Sequence, residues 1–349
     1  GEIKSKPAQH SVKELRSIGL FPNIIICRSD REVDESIRQK ISLFCNVPQG
    51  QIFDSIDLDS IYRLPMNFHH QGLDEKITEL LGMWTAKPNV ADLERVIYNI
   101  ENPIKKVKVG IVGKYTDLIE SYKSLDEALT HGAIANQVEF DPVYIDAEDL
   151  EVEDNVERIL SEVDGILVPG GFGERGTEGK IRSIRYAREM NIPYFGICLG
   201  MQLAIIEFAR NVIGISDATS SEFGESGSAV IDYIEGQTKD GAKGASMRLG
   251  AYDCEIKKGS LAQQIYEDLE ISERQRHRLE VNDKYLDNFE DEGMIISGRN
   301  PEYNLVELVE LLDHSFFVAC QYHPEFKSGP FSPHPLFAHF IGACGQEKK

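Results

Sequence analysis

Residues 193–202 read "PYFGICLGMQ" and place a single cysteine, Cys198, between an apolar run and a helical pattern. Apolar residues recur at helical spacing from Leu203 onward, which predicts a helix directly after the cysteine. Gly196 and Gly200, two residues to either side, permit the tight strand-to-helix turn that exposes a nucleophile. Such a turn also puts Cys198 at a helix N-terminus, where backbone N–H groups favour a thiolate. The alternative is a buried structural cysteine, the commoner fate of this residue type.

Strands and helices alternate around this stretch, which predicts an α/β fold with a parallel sheet covered on both faces. The predicted strands are 107–113, 140–146, 165–170 and 193–197, and the predicted helices are 122–136, 154–163 and 177–190. After about residue 220 the segments shorten into antiparallel or mixed strands at 248–256, 276–282, 293–300, 305–311 and 316–326. Residues 334–345 predict a closing helix.

The sequence pattern of the first part of the chain predicts a separate domain. We expect domains over 1–85 and 106–345, joined by a linker at 86–105 that contains a helix from about 90 to 100. Within the first unit the patterns predict a helix over 11–20, a strand over 23–29 and a helix over 32–44. Basic residues outnumber acidic ones in the opening 31 residues; they are Lys4, Lys6, Lys13, Arg16, Arg28 and Arg31. This cluster fits a solvated face and a phosphate site equally well.

Composition excludes several classes of function. The 349 residues carry a formal net charge of −21, which disfavours a nucleic-acid partner. No apolar run approaches the ~20 residues of a membrane span, and no signal-peptide core is present, so no membrane partner is expected. The six cysteines form no C-x-x-C pair, which favours a reducing, cytoplasmic location over a disulfide framework. The spacing of the nine histidines likewise predicts no metal site.

A cysteine nucleophile needs a base and an acceptor that orients the base. The candidates lie in "CQYHPEF" (320–326). His323 and Glu325 alternate with period two and share one face if the strand continues past Pro324. Glu325 could then hold the imidazole toward Cys198, at a sheet edge where such sites form. The alternative is a surface histidine and glutamate at a strand end.

The glycine-rich stretch "VPGGFGERG" (168–176) follows a predicted strand and exposes backbone N–H groups. It is not a phosphate loop, because five residues separate Gly173 from Gly179 and Ile181 stands where Mg²⁺ binding needs Ser or Thr. An oxyanion loop is the better interpretation. The N–H groups of Gly171 and Leu199 would then share the developing charge.

These three stretches together resemble the class I glutamine amidotransferases, whose fold is a flavodoxin-like α/β sheet. The stretches "EIKSKPAQHSVKELRSIGLFPNIIICRSDR", "KISLFCNVP", "DSIYRLP" and "VGIVGKY" narrow the resemblance to the CTP synthases within that family. The resemblance covers nearly the whole chain. It implies a glutaminase domain with a mixed sheet, preceded by the C-terminal remnant of a Rossmann-like P-loop synthase (amidoligase) domain.

The resemblance also implies functional residues. Cys198, His323 and Glu325 would form the catalytic triad of glutamine hydrolysis. Contacts to glutamine and its oxyanion would come from Gly171, Leu199, Gly200, Met201, Gln202, Glu222 and Arg278. UTP and CTP contacts would come from Lys4, Ser5, Lys6, Pro7, Ala8, Gln9 and Lys40, and the adenine edge of ATP would meet Ile56, Asp57 and Leu58. Glu222 and Arg278 carry charges opposite to the two termini of free glutamine.

Glutamine hydrolysis would then supply ammonia for the ATP-dependent amination of UTP to CTP. No cofactor is expected in this chain; ATP and Mg²⁺ would serve the full enzyme, GTP would activate it, and a homotetramer is implied. The small-molecule partners would be glutamine, UTP, CTP, ATP and GTP. The alternatives are a stand-alone glutaminase or γ-glutamyl hydrolase, or a non-catalytic homologue that senses CTP.

The chain departs from the family pattern in three ways. Leu279 stands in "RHRLE" where tyrosine is expected, and "DATSSEF" replaces a more usual Ala-Asn-Ser-Thr sequence. The 349 residues also contain no G-x-x-x-x-G-K-[ST] phosphate loop. We therefore expect the N-terminal part of the synthase domain to be absent, and this chain to be competent at most for the glutaminase half-reaction.

Overall fold

The computed structural model describes residues 3–114, 122–224, 226–234 and 247–346. The chain divides into two compact units, Gly1–Glu101 and Asn102–Lys349. The helix predicted over 90–100 is confirmed as Ala91–Glu101, and it belongs to the first unit.

The first unit is built around two parallel strands. Its strands are β1 (Ile25–Ser29) and β2 (Ile52–Ile56), and its helices are α1 (Lys6–Ser17), α2 (Glu35–Cys45), α3 (Leu64–His70), α4 (Leu73–Leu80) and α5 (Ala91–Glu101). Ile25 of β1 lies opposite Ile52 of β2. Helix α2 makes the crossover between them, because parallel strands cannot be joined by a tight hairpin. The buried core comprises Val12, Val33, Ile41, Cys45, Val47 and Ile52.

Two helix boundaries in this unit differ from the predictions. Helix α1 begins at Lys6 rather than at residue 11, because Pro7 in its first turn has a backbone angle already suited to a helix start. It ends at Ser17, and Gly19 follows in the left-handed region with φ +84°. Helix α2 begins at Glu35 rather than at residue 32, because Asp34 is still extended, with ψ 145°.

The second unit contains a mixed sheet, as predicted. Among the described residues its strands are β3 (Lys106–Gly113), β4 (Glu139–Asp146), β5 (Gly165–Val168), β6 (Tyr194–Ile197), β9 (Arg248–Ile256), β10 (Glu270–His277), β12 (Met294–Arg299), β13 (Val306–Leu311) and β14 (Phe317–Cys320), in the spatial order β10-β9-β12-β13-β14-β6-β5-β3-β4. Strands β14, β6, β5, β3 and β4 are parallel, and the pairings from β10 to β14 are antiparallel. A second sheet holds β7 (Ala218–Ser220), β8 (Ser228–Tyr233) and β11 (Leu279–Val281).

Helices cover both faces of the parallel strands. Among the described residues the α-helices of this unit are α6 (Lys123–Asn136), α7 (Glu153–Leu160), α8 (Thr177–Glu189), α9 (Leu199–Phe208), α10 (Leu261–Tyr266), α11 (Leu286–Asp291) and α12 (Pro335–Cys344). Side chains alternate across the sheet, so Ile166 of β5 joins the core beneath α7 to α9 while Leu167 joins the core beneath α6 and α12. The predicted two-sided packing is confirmed. In the described residues no helix is long and apolar enough to cross a membrane.

Two segments predicted as single strands are interrupted in the structure. The segment predicted as one strand over 276–282 is split, since β10 pairs with β9 up to His277 and β11 then pairs with β8 in the other sheet. The segment predicted over 316–326 is a strand only as far as Cys320, and residues Pro324–Lys327 form a 3₁₀ helix. Pro324 has no N–H to donate to a neighbouring strand, and its ring suits the first turn of a helix.

Candidate active site

Cys198 lies at the turn that joins β6 to α9, as the glycine spacing predicts. Its backbone has φ 52° and ψ −102°, a strained conformation for a residue with a side chain. The turn is tight on both sides: a Cβ on Gly200 would lie 2.1 Å from Val168 O, and one on Gly196 would lie 2.9 Å from Ala319 Cβ. The main chain of Cys198 is fixed further by its N–H, which donates to Cys320 O over 2.7 Å.

Strand pairing brings His323 to this turn. Strand β14 runs parallel to β6, with Cys320 opposite Ile197. Both strands therefore end at the same edge of the sheet. The expectation that His323 and Glu325 share the face of a continuing strand is wrong, because the strand ends at Cys320. The two side chains meet instead across the start of the 3₁₀ helix, where His323 Nδ1 lies 2.8 Å from Glu325 Oε1.

The charge of His323 depends on its two neighbours. Burial alone would lower the pKa of His323, but the hydrogen-bonded Cys198 side chain and the Glu325 carboxylate raise it, to about 10. The physical cause is that negative charge on either neighbour favours the imidazolium, and all three side chains are largely buried. With Nδ1 directed at Glu325, the other ring nitrogen is left for Cys198.

The glycine-rich loop passes directly over the cysteine and the histidine. A Cβ on Gly170 would lie 2.9 Å from His323 Cε1 and 3.5 Å from Cys198 Cβ, so only glycine lets the loop approach this closely. A Cβ on Gly171 would meet only Leu199 Cδ2, at 3.4 Å. The loop therefore lies beside the first residue of α9, as an oxyanion loop requires.

A cavity of about 240 Å³ opens beside these groups. Its lining comprises Tyr122, Ser124, Leu125, Pro169, Gly170, Gly171, Phe172, Ile197, Cys198, Arg276, His323, Glu325 and Phe326. Cys198 is 4% exposed, and the cavity gives its side chain access to a small molecule. The described residues contain no group of three or more His, Cys, Asp or Glu side chains that could hold a metal ion.

Side chains also hold the glycine loop in place. Glu222, a predicted glutamine contact, accepts a hydrogen bond from the N–H of Gly173 over 3.1 Å. Lys114 donates to Phe172 O over 2.9 Å and to Gly173 O over 2.8 Å. Burial, followed by the charge of Arg175, lowers the pKa of Lys114.

The structure places the other predicted glutamine contacts differently. Gly200, Met201 and Gln202 are buried in the first turns of α9. Arg278 does not line the cavity; its guanidinium lies 5.6 Å from the centre of the Tyr233 ring. Arg276 does line it, with its guanidinium 5.9 Å from the centre of the Phe172 ring.

Sequence reasoning missed Arg276 and Gln321. Arg276 precedes the predicted Arg278 by two residues, and period-two alternation in a predicted strand puts both on one face, which was a signal for Arg276. Gln321 directly follows Cys320, and its side-chain amide donates to Cys198 Sγ over 3.6 Å. No local sequence pattern predicts this contact, because it depends on the pairing of β14 with β6.

The predicted nucleotide residues lie in the first unit. Lys4, Pro7 and Ala8 line a cavity of about 460 Å³ together with Arg28. Ser5 is buried and accepts a hydrogen bond from Gln9 over 3.0 Å. Lys6 and Lys40 are exposed and do not line this cavity.

The proposed adenine-edge segment follows the same strand pair. Ile56 ends β2, and the N–H of Asp57 donates to Ser29 O over 3.0 Å. Asp57 also forms an exposed ion pair with Arg28 at 3.6 Å. Leu58 follows, half-buried.

Residues 117–343 match the model of the family "Glutamine amidotransferase class-I", and the two-sided sheet with its cysteine turn has the architecture expected of that class. The chain belongs to the class I glutamine amidotransferases. Residues 1–83 match the model "CTP synthase N-terminus". The resemblance drawn from the sequence motifs is thereby confirmed.

Curated relatives make the likeness more specific. Proteins named CTP synthase from Lawsonia intracellularis and Geobacter sulfurreducens are 51% and 50% identical to this chain, and each alignment covers 100% of it. The chain spans 66% and 65% of their lengths, slightly less than two thirds. A solved structure described as "Trypanosoma brucei CTPS - glutaminase domain with bound acivicin" is 41% identical, with a TM-score of 0.64, and the match covers 68% of this chain and 93% of that one.

Proposed function

We propose that this chain hydrolyses the side-chain amide of glutamine, with Cys198 as the nucleophile. The observation that carries the proposal is the grouping of Cys198 with His323 and Glu325 around one cavity, with His323 and Glu325 2.8 Å apart. A nucleophile, a base and a group that orients the base are the parts that acyl transfer requires.

In the first step the Cys198 thiolate attacks the amide carbon. A C–S bond forms, and the carbonyl electron pair moves onto oxygen. The N–H groups of Gly171 and Leu199 hold that oxygen; one such donor lowers the barrier by on the order of 3 kcal/mol. The close approach of the glycine loop to Leu199 supports this pairing.

In the second step the imidazolium of His323 protonates the amide nitrogen, the C–N bond breaks and ammonia leaves. Water then attacks the thioester and gives its proton to His323. The C–S bond breaks with its electron pair returning to sulfur, which releases glutamate and restores the thiolate. The raised pKa of His323, about 10, favours the protonated imidazolium, which the departure of ammonia needs.

The charged ends of glutamine need partners of opposite sign. We assign the ammonium to Glu222 and the carboxylate to Arg278. The position of Glu222 against the glycine loop supports the first assignment. Arg278 is half-buried and lies two residues from the cavity-lining Arg276, which supports the second assignment.

The wider proposal concerns the fate of the ammonia. The relatives named CTP synthase support its use for the ATP-dependent amination of UTP to CTP. A cavity lined by both Lys4 and Arg28 supports a site for a nucleotide phosphate. ATP, Mg²⁺ and GTP belong to this wider reaction, as does assembly into a homotetramer.

Ammonia release from glutamine tests the proposal. The purified chain should produce ammonia and glutamate in equal amounts, and Cys198→Ala should produce neither. A γ-glutamyl peptide supplied in place of glutamine distinguishes a γ-glutamyl hydrolase, which would cleave it faster. UTP binding by calorimetry, with Lys4→Ala against the exposed control Lys13→Ala, tests the nucleotide site separately. Glutamine hydrolysis that survives Cys198→Ala would contradict the proposed mechanism.

A further inference from the structure

Two glutamines form a buried relay that ends at the sulfur of Cys198. Gln321 donates from Nε2 to Cys198 Sγ over 3.6 Å, and Gln202 donates from Nε2 to Gln321 Oε1 over 3.1 Å. Gln321 is 0% exposed and Gln202 is 4% exposed. The large majority of buried side-chain polar atoms are hydrogen-bonded, and in this pair each amide meets that requirement through the other.

The relay fixes which end of the Gln321 amide faces the sulfur. Because Gln202 supplies a donor, the oxygen of Gln321 must turn toward Gln202, and its NH₂ group is then directed at Cys198. The main chain of Gln321 is anchored as well, since its N–H donates to Glu307 O over 2.9 Å. Gln202 is held from its own side by Leu279 O at 3.4 Å.

We propose that Gln321 is a further catalytic residue, whose amide N–H stabilises the Cys198 sulfur whenever that atom carries negative charge, and that Gln202 positions Gln321. The inference rests on the proposed glutaminase function and adds to it a donor on the sulfur side of the reaction. The oxyanion donors act on the substrate oxygen, at the opposite end of the forming C–S bond.

The sulfur is anionic at two points in the reaction. It is a thiolate before attack, and it becomes one again when the C–S bond of the thioester breaks and the electron pair returns to sulfur. A hydrogen bond to an ionised acceptor is stronger than one to a neutral acceptor. The Gln321 donor therefore favours the thiolate and its departure over the neutral thiol.

Replacing the donor without changing the volume tests the proposal. Gln321→Met keeps the length of the side chain but removes the N–H group. The direct readout is the rate of alkylation of Cys198 by iodoacetamide, followed by mass spectrometry, which needs no glutamine. At a pH low enough for the neutral thiol to predominate, where the rate follows the thiolate fraction, we expect a decrease of about tenfold, the order expected for one lost donor to a charged group. Glutamine hydrolysis should lose kcat while KM changes little.

A double-mutant cycle tests the positioning role of Gln202. Gln202→Met should slow alkylation less than Gln321→Met does, and the double variant should be no slower than Gln321→Met alone, because both changes break one relay. Asn300→Leu is the control: Asn300 is buried and its side-chain amide donates to Asp253 O over 2.7 Å, a bond that involves neither the two glutamines nor Glu307. Its alkylation rate should equal that of the unsubstituted chain.

Gln321→Glu provides a second variant of the same shape should the methionine destabilise the fold. A carboxylate at this position repels the thiolate, so alkylation should fall at least as far. Equal alkylation rates in folded Gln321 variants and the unsubstituted chain would overturn the proposal, whether or not glutamine is hydrolysed. Slower alkylation in those variants, combined with no hydrolysis by the unsubstituted chain, would contradict the proposed function alone.

Discussion

His323 Nδ1 lies 2.8 Å from Glu325 Oε1, although the strand that leads to these residues ends at Cys320 and Pro324 stands between them. The contact is made within a short 3₁₀ helix, so the carboxylate is held by the turn itself rather than by the sheet. Both side chains are largely buried, at 13% and 12% exposure. The contact fixes the direction in which the imidazole faces.

Replacing Glu325 by Gln should slow glutamine hydrolysis, because the amide keeps an acceptor but loses the charge that supports the imidazolium. We expect kcat to fall about 10- to 100-fold, and less than in His323→Ala, since residues that act as a unit contribute unequally. Steady-state kinetics of both variants provide the comparison. Wild-type activity in Glu325→Gln would show that the carboxylate takes no part.

The raised pKa of His323 predicts a pH-dependent contribution to stability. The folded state holds this proton up to a pKa of about 10, whereas an unfolded histidine releases it near its ordinary value of about 6.5. The contribution is therefore complete below about pH 6.5 and is lost as pH rises toward about 10. Urea unfolding of the chain and of His323→Ala at several pH values should show the difference in unfolding free energy shrinking over that window. A constant difference would contradict the charge assignment.

Two neighbouring glycines should respond differently to substitution. A methyl group at Gly170 would press on His323 Cε1 at 2.9 Å, whereas one at Gly171 meets only the flexible end of Leu199 at 3.4 Å. Gly170→Ala should lower kcat by tenfold or more, because misplacement of a catalytic group is costly. Gly171→Ala keeps its N–H and should lose much less. Equal activities of the two variants would argue against the loop's position over the histidine.

Arg278→Ala should raise the KM for glutamine by about tenfold or more, because the substrate carboxylate would lose a charged partner. Iodoacetamide should still alkylate Cys198 at the normal rate, since this small reagent carries no charge. Arg276→Ala is the informative comparison, because Arg276 is the arginine that lines the cavity. A large increase in KM for Arg276→Ala with no increase for Arg278→Ala would assign the binding of the glutamine carboxylate to Arg276 instead.

The sequence predicts features whose cause is local. The turn at Cys198 follows from glycines two residues away, and the alternation of strands and helices gives the two-sided sheet. Gln321 depends instead on the pairing of distant strands, and no nearby residue marks it. The break between β10 and β11 carries no Gly or Pro, so "RHRLE" reads as one strand while Arg276 and Arg278 belong to different surroundings.

The contact between His323 and Glu325 is present, but the backbone geometry predicted for it, a continuing strand, is wrong. Period-two alternation places two side chains on one face of a strand, but the strand had already ended. The short spacing across Pro324 also allows the contact in a 3₁₀ helix. Sequence spacing alone therefore predicts that two residues meet more readily than it predicts the backbone that brings them together.

The most direct measurement is labelling of the intact chain with a glutamine-like diazo ketone, followed by mass spectrometry of its peptides. The account predicts one adduct, on Cys198, formed more slowly when glutamine is in excess. Burial raises the pKa of Cys45, Cys320 and Cys344, and burial with the nearby Asp54 carboxylate raises that of the half-buried Cys27, so these thiols should stay unmodified. An adduct on another cysteine, or labelling of Cys198 that glutamine does not slow, would contradict the account.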